Sequence, residues 1–261
     1  MQTTESDGND APLYAPARKL ALSAPFGWLK LGWRDFRRAP WHSLTYGAIF
    51  VLIGWALLYL AWIKSNDALV FSLLFGFLLV GPALTFGLYD ISHQLELNRK
   101  PSFRHERQKV FHEMGHELMF ALILSMLFLI LAIVVSMVMW AEPTAAQLTV
   151  SPAVSVAAVV SVSSAVSLLI AVIFAGMAFC ASAFALPMIL HQDTDATTAL
   201  LTSINAVLRN IKVMALWALI IFVLTAAGFA TGLIGLAFIV PVLGYATWHA
   251  YRETIIVKDK E

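Results

Sequence analysis

A single cysteine, Cys180, stands in 261 residues, so no intrachain disulfide framework exists. Charge is equally scarce: 13% of residues are Asp, Glu, Lys or Arg, about half the usual share of a soluble domain. The few charges cluster in short stretches, which leaves no room for a sizeable soluble domain. A net charge of +1 gives no electrostatic footprint for nucleic acid. No P-loop, dinucleotide fingerprint or serine nucleophile elbow occurs. What the chain has instead is apolar bulk, 60% of its residues, with a mean hydropathy of +0.79. This is the composition of a polytopic membrane protein.

Long uncharged runs lie at Ser43 to Ile63, Ala68 to Ile91, Leu118 to Trp140, Val154 to Leu190 and Val213 to Ala250. A crossing needs roughly 20 apolar residues. The first three runs are single spans. In the fourth, Val154 to Ser164 is rich in Ser and Ala and reads as an extension before a span from Ala165 to Leu190. In the fifth, Gly228, Thr231, Gly232 and Gly235 favour a turn between spans Val213 to Ala227 and Leu233 to Ala250. The rival is one tilted helix with Gly228 and Gly232 as a GxxxG packing face. Charge favours six spans. With both termini cytoplasmic, all but Lys64 of the 17 Lys and Arg residues fall on the cytoplasmic side, as the positive-inside rule asks.

The expected fold is therefore an all-α membrane protein with six transmembrane helices in three hairpins, each preceded by a cytoplasmic interfacial amphipathic helix in a pseudo-threefold repeat. In the first such stretch Leu22, Phe26, Leu29, Trp33 and Phe36 recur at helical spacing. Lys30, Arg34, Arg37 and Arg38 fall elsewhere on the wheel, poised to contact anionic headgroups or a partner. In the third, Thr194 or Asp195 caps a helix with apolar positions Leu201, Ile204, Leu208 and Ile211. The second is weaker, with Ser102 as cap and Phe103, Val110 and Met114 inward. Pro82, Pro187 and Pro241 sit in the second span of each pair as kinks, and Asp90, Asp195 and His249 lie eight residues beyond them. Residues 1–17 read as a disordered tail rather than a signal peptide, 18–252 as the membrane domain and 253–261 as a cytoplasmic tail.

No Asp, Glu, Lys, Arg or His lies in the core of any span, which argues against ion-coupled transport and buried haem. A path for lipids or small molecules between the kinked helices stays open. All seven histidines lie near the cytoplasmic surface on this topology, and His93, His191 and His249 are the set from which a surface metal site would be drawn. His112-Glu113-Met114-Gly115-His116 matches H-E-x-x-H and resembles the zinc site of membrane metallopeptidases. There His112 and His116 would be ligands and Glu113 the general base. Two features oppose that alternative. No third ligand follows in a matching signature, and aligning residues 111–120 on 208–217 puts the motif at a junction between interfacial helix and span, where a turn would separate the two histidines. Trp28, Trp33, Trp41, Trp62, Trp140 and Trp248 read as interface anchors. Ser163, Ser167, Ala171 and Ala175 read as a packing seam. Cys180 reads as a buried small hydrophobe.

Gly27-Trp28-Leu29-Lys30-Leu31-Gly32-Trp33-Arg34-Asp35-Phe36, the stretch from Ala199 to Trp217, and Gly244-Tyr245-Ala246-Thr247-Trp248-His249-Ala250-Tyr251-Arg252 together carry a resemblance. The chain resembles a bacterial family of predicted integral membrane proteins known as a domain of unknown function (DUF2189), some members of which are labelled cytochrome c oxidase subunit I-like. True subunit I has twice as many spans, with histidine ligands inside them, and this chain departs from it on both counts. The resemblance implies a membrane fold and supplies no catalytic residues. The expected protein is thus a non-enzymatic, multi-pass component of the bacterial cytoplasmic (inner) membrane, needing no cofactor, with membrane lipid or a membrane protein complex as its partner and no nucleic acid.

Overall fold

The computed structural model describes residues 15–64, 84–101, 156–192 and 194–256, together with a helical set of positions between 119 and 137. All regular elements among them are helices: α1 (Ala24–Arg38), α2 (Pro40–Lys64), α3 (residues 84–96), α4 (Val156–Ser182), α5 (Ala185–Gln192), α6 (Ala196–Arg209), α7 (Ile211–Ala230) and α8 (Leu236–Thr254). Three stretches of them are long and apolar enough to cross a membrane: Pro40–Leu60, Val166–Gln192 and Ile211–Ala230.

Burial divides the molecule into two zones. Leu52 and Leu58 of α2, Leu168 and Val172 of α4, and Phe222 and Phe229 of α7 are all exposed, as side chains facing hydrocarbon would be. At the other end, Trp28, Phe86, Ile91, Phe184, Ile189, Trp217, Trp248 and Tyr251 are fully buried. That second zone is a packed core built from α1, α3, α5, α6, the start of α7 and the C-terminal half of α8.

Helix α8 is its spine, with α1 and α2 both laid along it. Glycine permits the close approach. A Cβ on Gly32 would stand 2.6 Å from the Val242 carbonyl oxygen and 2.8 Å from the Ala246 nitrogen, and one on Gly47 would collide with the Ala237 carbonyl. Pro241 lies inside α8 and has no N–H to offer Ala237, four residues back. The carbonyl released from the ladder is therefore the one that Gly47 lets α2 approach.

The run at 213–250 is two helices joined by a turn at 231–235, not one tilted helix. Gly232 takes the left-handed conformation at φ 65°. Leu233 takes it too, at φ 74°, a conformation that bulky residues rarely adopt. Its burial against Val51 accompanies the strained backbone. Gly228 packs on Leu236 across the same hairpin rather than on a GxxxG partner. In the fourth run the helix starts by Val156, so the Ser- and Ala-rich stretch is continuous with it, and the span breaks at Ala183 and Phe184. The cause of the break is visible. The Ser203 hydroxyl donates to the Cys180 carbonyl (2.7 Å) and accepts from the Phe184 N–H (3.1 Å), entering the ladder one turn before Pro187.

Two tail boundaries also move. Ala17 bridges Ile255, the Ala15 N–H donates to the Thr202 hydroxyl, and the Ile256 N–H donates to the Pro16 carbonyl, so residues 15–17 and 253–256 belong to the packed zone. Asp195, not Thr194, caps α6, its carboxylate accepting from the Thr198 N–H at 3.0 Å. That bond holds the Asp195 carboxyl below its ordinary value of 3.8. Because the folded-state value is the depressed one, the cap contributes fully above the unfolded value and is lost as pH falls through the folded one. Asp195→Ala is expected to cost about 1 kcal/mol in thermal unfolding. Asp195→Asn keeps the cap and flattens the acid limb of the stability profile.

Candidate functional site

Two features are candidates for a functional role, a buried polar layer and the faces of the two short amphipathic helices beside it.

The polar layer is centred on Asp35, 1% exposed, which sits on the face of α1 that also buries Trp28, Gly32 and Phe36. One oxygen, Oδ2, accepts from the Ser92 hydroxyl of α3 (2.8 Å) and pairs with His249 Nε2 of α8 (2.7 Å). Three segments distant in sequence are thereby pinned at one atom. On the other side of α8, His93, His191 and Trp248 form a ring cluster with centroids 5.1 to 5.5 Å apart. His191 Nδ1 pairs with the Tyr251 hydroxyl at 3.0 Å, whose titration burial pushes well up. Glu96 of α3 accepts from Trp248 Nε1 (3.0 Å) and from Arg252 Nε (3.1 Å). Trp28 Nε1 donates to Glu253 at 2.7 Å.

This arrangement revises several sequence expectations. Trp28 and Trp248 are fully buried donors to carboxylates, not interface anchors, whereas Trp33 and Trp41 are exposed as anchors should be. His93 and His191 are brought together, but His249 turns away to Asp35, and the described residues hold no group of three His, Cys, Asp or Glu side chains suited to a metal. Cys180 is half-buried and lines an open apolar groove with Ile123, Met126 and Ile173. His112, Glu113, His116 and Pro82 lie outside the described residues, as do Ser102, Phe103, Val110, Met114, Ser163, Trp62 and Trp140 or their side chains. Asp35, Ser92 and Glu96 were not singled out as site residues in the sequence, and Glu253 stands there only as one of the acids, with Asp193 and Asp195, that lie in no zinc-ligand signature. One signal was there: Asp35 is the lone acid of a basic helix, placed three and seven residues from Gly32 and Trp28, hence on their face.

Both short helices also turn large apolar side chains outward. An amphipathic helix of a soluble protein buries its large apolar stripe. Here α6 buries Ala199, Thr202, Ser203 and Ala206 and exposes Leu201 and Leu208, with Ile211 exposed just beyond its end. Helix α1 exposes Phe26 and Trp33, the last by 46%, with Leu22 exposed just before its start, while Leu29 and Phe36 of the same expected stripe turn toward the core. Beside the α1 stripe, on the sector away from α8, Lys30, Arg34, Arg37 and Arg38 are all exposed. Arg37 and Arg38 also sit in the last turn, where they complement the helix dipole. Arg38 reaches Asn98 at 3.4 Å.

Apolar spans standing on a packed polar layer define an integral membrane protein. Residues 69–191 match the family model described as Predicted integral membrane protein (DUF2189), the family that the sequence resembles. The matched segment contains the His112 to His116 motif, and the three stretches that carry the resemblance flank it. No curated protein and no solved structure matches the chain.

Proposed function

We propose that the protein is a non-enzymatic, six-span accessory or assembly component of the bacterial cytoplasmic membrane. Its short amphipathic helices lie in the cytoplasmic interface and bind anionic lipid headgroups or a membrane complex. The outward apolar stripes of α1 and α6 carry this reading. Large side chains that face neither the core nor a neighbouring helix need an apolar medium, and a flanking row of basic residues suits the phosphate layer above it.

The repeat belongs to the same proposal. Short helix, one junction residue and long helix follow one another in α1, Ala39 and α2 and again in α6, Asn210 and α7. The junctions have nearly the same backbone, φ −131° and ψ 58° at Ala39, φ −123° and ψ 35° at Asn210. Such matching bends favour one unit used more than once, and the basic residues on both short helices favour a cytoplasmic location for this end. The polar layer supports a structural rather than catalytic role, because its carboxylates are engaged by neighbouring donors: Asp35 by Ser92 and His249, Glu96 by Trp248 and Arg252.

Replacing Lys30, Arg34, Arg37 and Arg38 together by Gln tests the reading. Each basic residue near an anionic surface contributes about 1 kcal/mol, so the variant is expected to retain phosphatidylglycerol far more weakly than wild type when both are eluted from mixed-lipid vesicles into detergent. Unchanged retention, with no loss of a co-purifying complex, contradicts it.

A further inference from the structure

A second basic surface is assembled from two ends of the chain that the sequence keeps some 190 residues apart. Residues 15–20 form a strap across the end of α6. Its central fastening is the buried side chain of Asn210, at the α6–α7 junction. Asn210 Nδ2 donates to the Arg18 carbonyl (2.9 Å), and Asn210 Oδ1 accepts from the Leu20 N–H (2.9 Å). Both halves of the amide bond the strap's backbone, Nδ2 also donating to the Ala206 carbonyl of α6 (3.1 Å), while the helix that Asn210 precedes receives no side-chain cap from it. An asparagine at a helix start commonly caps it. Here that role is given up to place Arg18 and Lys19 beside the junction.

The consequence is a clustering of charge. Arg18 and Lys19 come from the strap, Arg209 and Lys212 from either side of Asn210, and all four are exposed. Among the described residues none of the four forms an ion pair. Exposed Leu22, Leu208 and Ile211 adjoin the same junction, each about 60% accessible. It is also where α7, one of the stretches long and apolar enough to span, begins. Four exposed cations beside large exposed apolar side chains, at the mouth of a span, match the two halves of one ligand class. The cations suit a phosphate, and the apolar side chains suit the first methylenes of acyl chains below it.

We infer that the Asn210-fastened strap builds a discrete headgroup site for an anionic phospholipid, separate from the basic row of α1. The inference rests on the interfacial reading of this end of the molecule, but it assigns a site with its own residues. Arg18, Lys19, Arg209 and Lys212 hold the phosphate. Asn210 is a positioning residue that acts through the strap.

The test uses the full chain reconstituted in phosphatidylcholine vesicles containing a minor share of phosphatidylglycerol, extracted into detergent, with the retained lipid counted by native mass spectrometry. Replacing the four cations by Gln is expected to cut phosphatidylglycerol retention at this site by roughly fivefold for each residue removed, leaving phosphatidylcholine unaffected. Asn210→Ala keeps every cation but releases the Arg18 carbonyl and the Leu20 N–H, loosening the strap at the junction while its bonds to Thr202, Thr254 and Ile256 remain. It is expected to lower phosphatidylglycerol retention as well, and far-UV circular dichroism and gel filtration confirm that the variant folds. If the four-Gln variant retains phosphatidylglycerol as wild type does, while the Lys30, Arg34, Arg37 and Arg38 variant loses it, the strap site is overturned and the interfacial reading stands. If neither variant loses lipid, both fall. Equal retention of the two lipids by wild type, or displacement of phosphatidylglycerol by an acidic partner protein alone, also overturns the site.

Discussion

Asp35→Ala is expected to lower the stability of the detergent-solubilised protein by about 3 to 5 kcal/mol, read as a large drop in thermal unfolding midpoint. The size follows from what is left behind. With the carboxylate gone, the Ser92 hydroxyl and His249 Nε2 lose the partner they share in a site 1% exposed, and water has little room to replace it. Asp35→Asn retains one acceptor oxygen for those two donors, so its loss is expected to be smaller. A cycle of Asp35→Ala, His249→Ala and the double variant isolates the pair: the two single losses should not add, because either one breaks the same contact. Additive losses would mean that α1 and α8 are held by packing alone.

The second large effect is steric. Gly47→Val places a side chain where α2 meets the Ala237 carbonyl of α8, and the obstruction is backbone, which has no rotamer to yield. Overpacking of this kind costs about 1 to 3 kcal/mol in ordinary cores. Here the shift must carry a whole span, so loss of monodisperse protein on gel filtration is the expected result. Gly176→Ala is the control. Among the described residues a Cβ there meets nothing within 4 Å, and alanine is the better helix former, so that variant should behave as wild type.

The parts of the fold legible in the sequence are those set by local periodicity. Leu201, Ile204, Leu208 and Ile211, and Leu22, Phe26, Leu29, Trp33 and Phe36, announce their stripes at helical spacing; most of each is exposed, but Ile204 and Leu29 are half-buried and Phe36 is buried. The Gly-rich stretch before Leu236 announces a turn, and Asp195 announces a cap. The polar layer was not legible because each member comes from a different segment and none has a local reason to be singled out. Ser92 is one of many serines, and Glu96 and Glu253 look like ordinary surface acids until Trp248 and Trp28 are placed over them. Tryptophan misled for the same reason. At a span end or on an interfacial helix it signals an interface anchor, but Trp248 lies where α8 continues into the packed zone and Trp28 on the face of α1 that packs against α8. The break before Pro187 was half legible. The proline is local, but the Ser203 hydroxyl that enters the ladder arrives from α6.

The central claim is that α1 and α6 lie in the membrane interface with their apolar stripes in lipid. Site-directed spin labels on a Cys180→Ser background at Phe26, Trp33 and Leu208, with Lys30 and Arg34 for comparison, test it directly in phosphatidylglycerol-containing vesicles. The account predicts that labels at the three apolar positions collide with molecular oxygen far more than with a water-soluble nickel chelate, and that labels at Lys30 and Arg34 show the reverse. Preferential access of the chelate to Phe26, Trp33 and Leu208 would place both helices in water and contradict it.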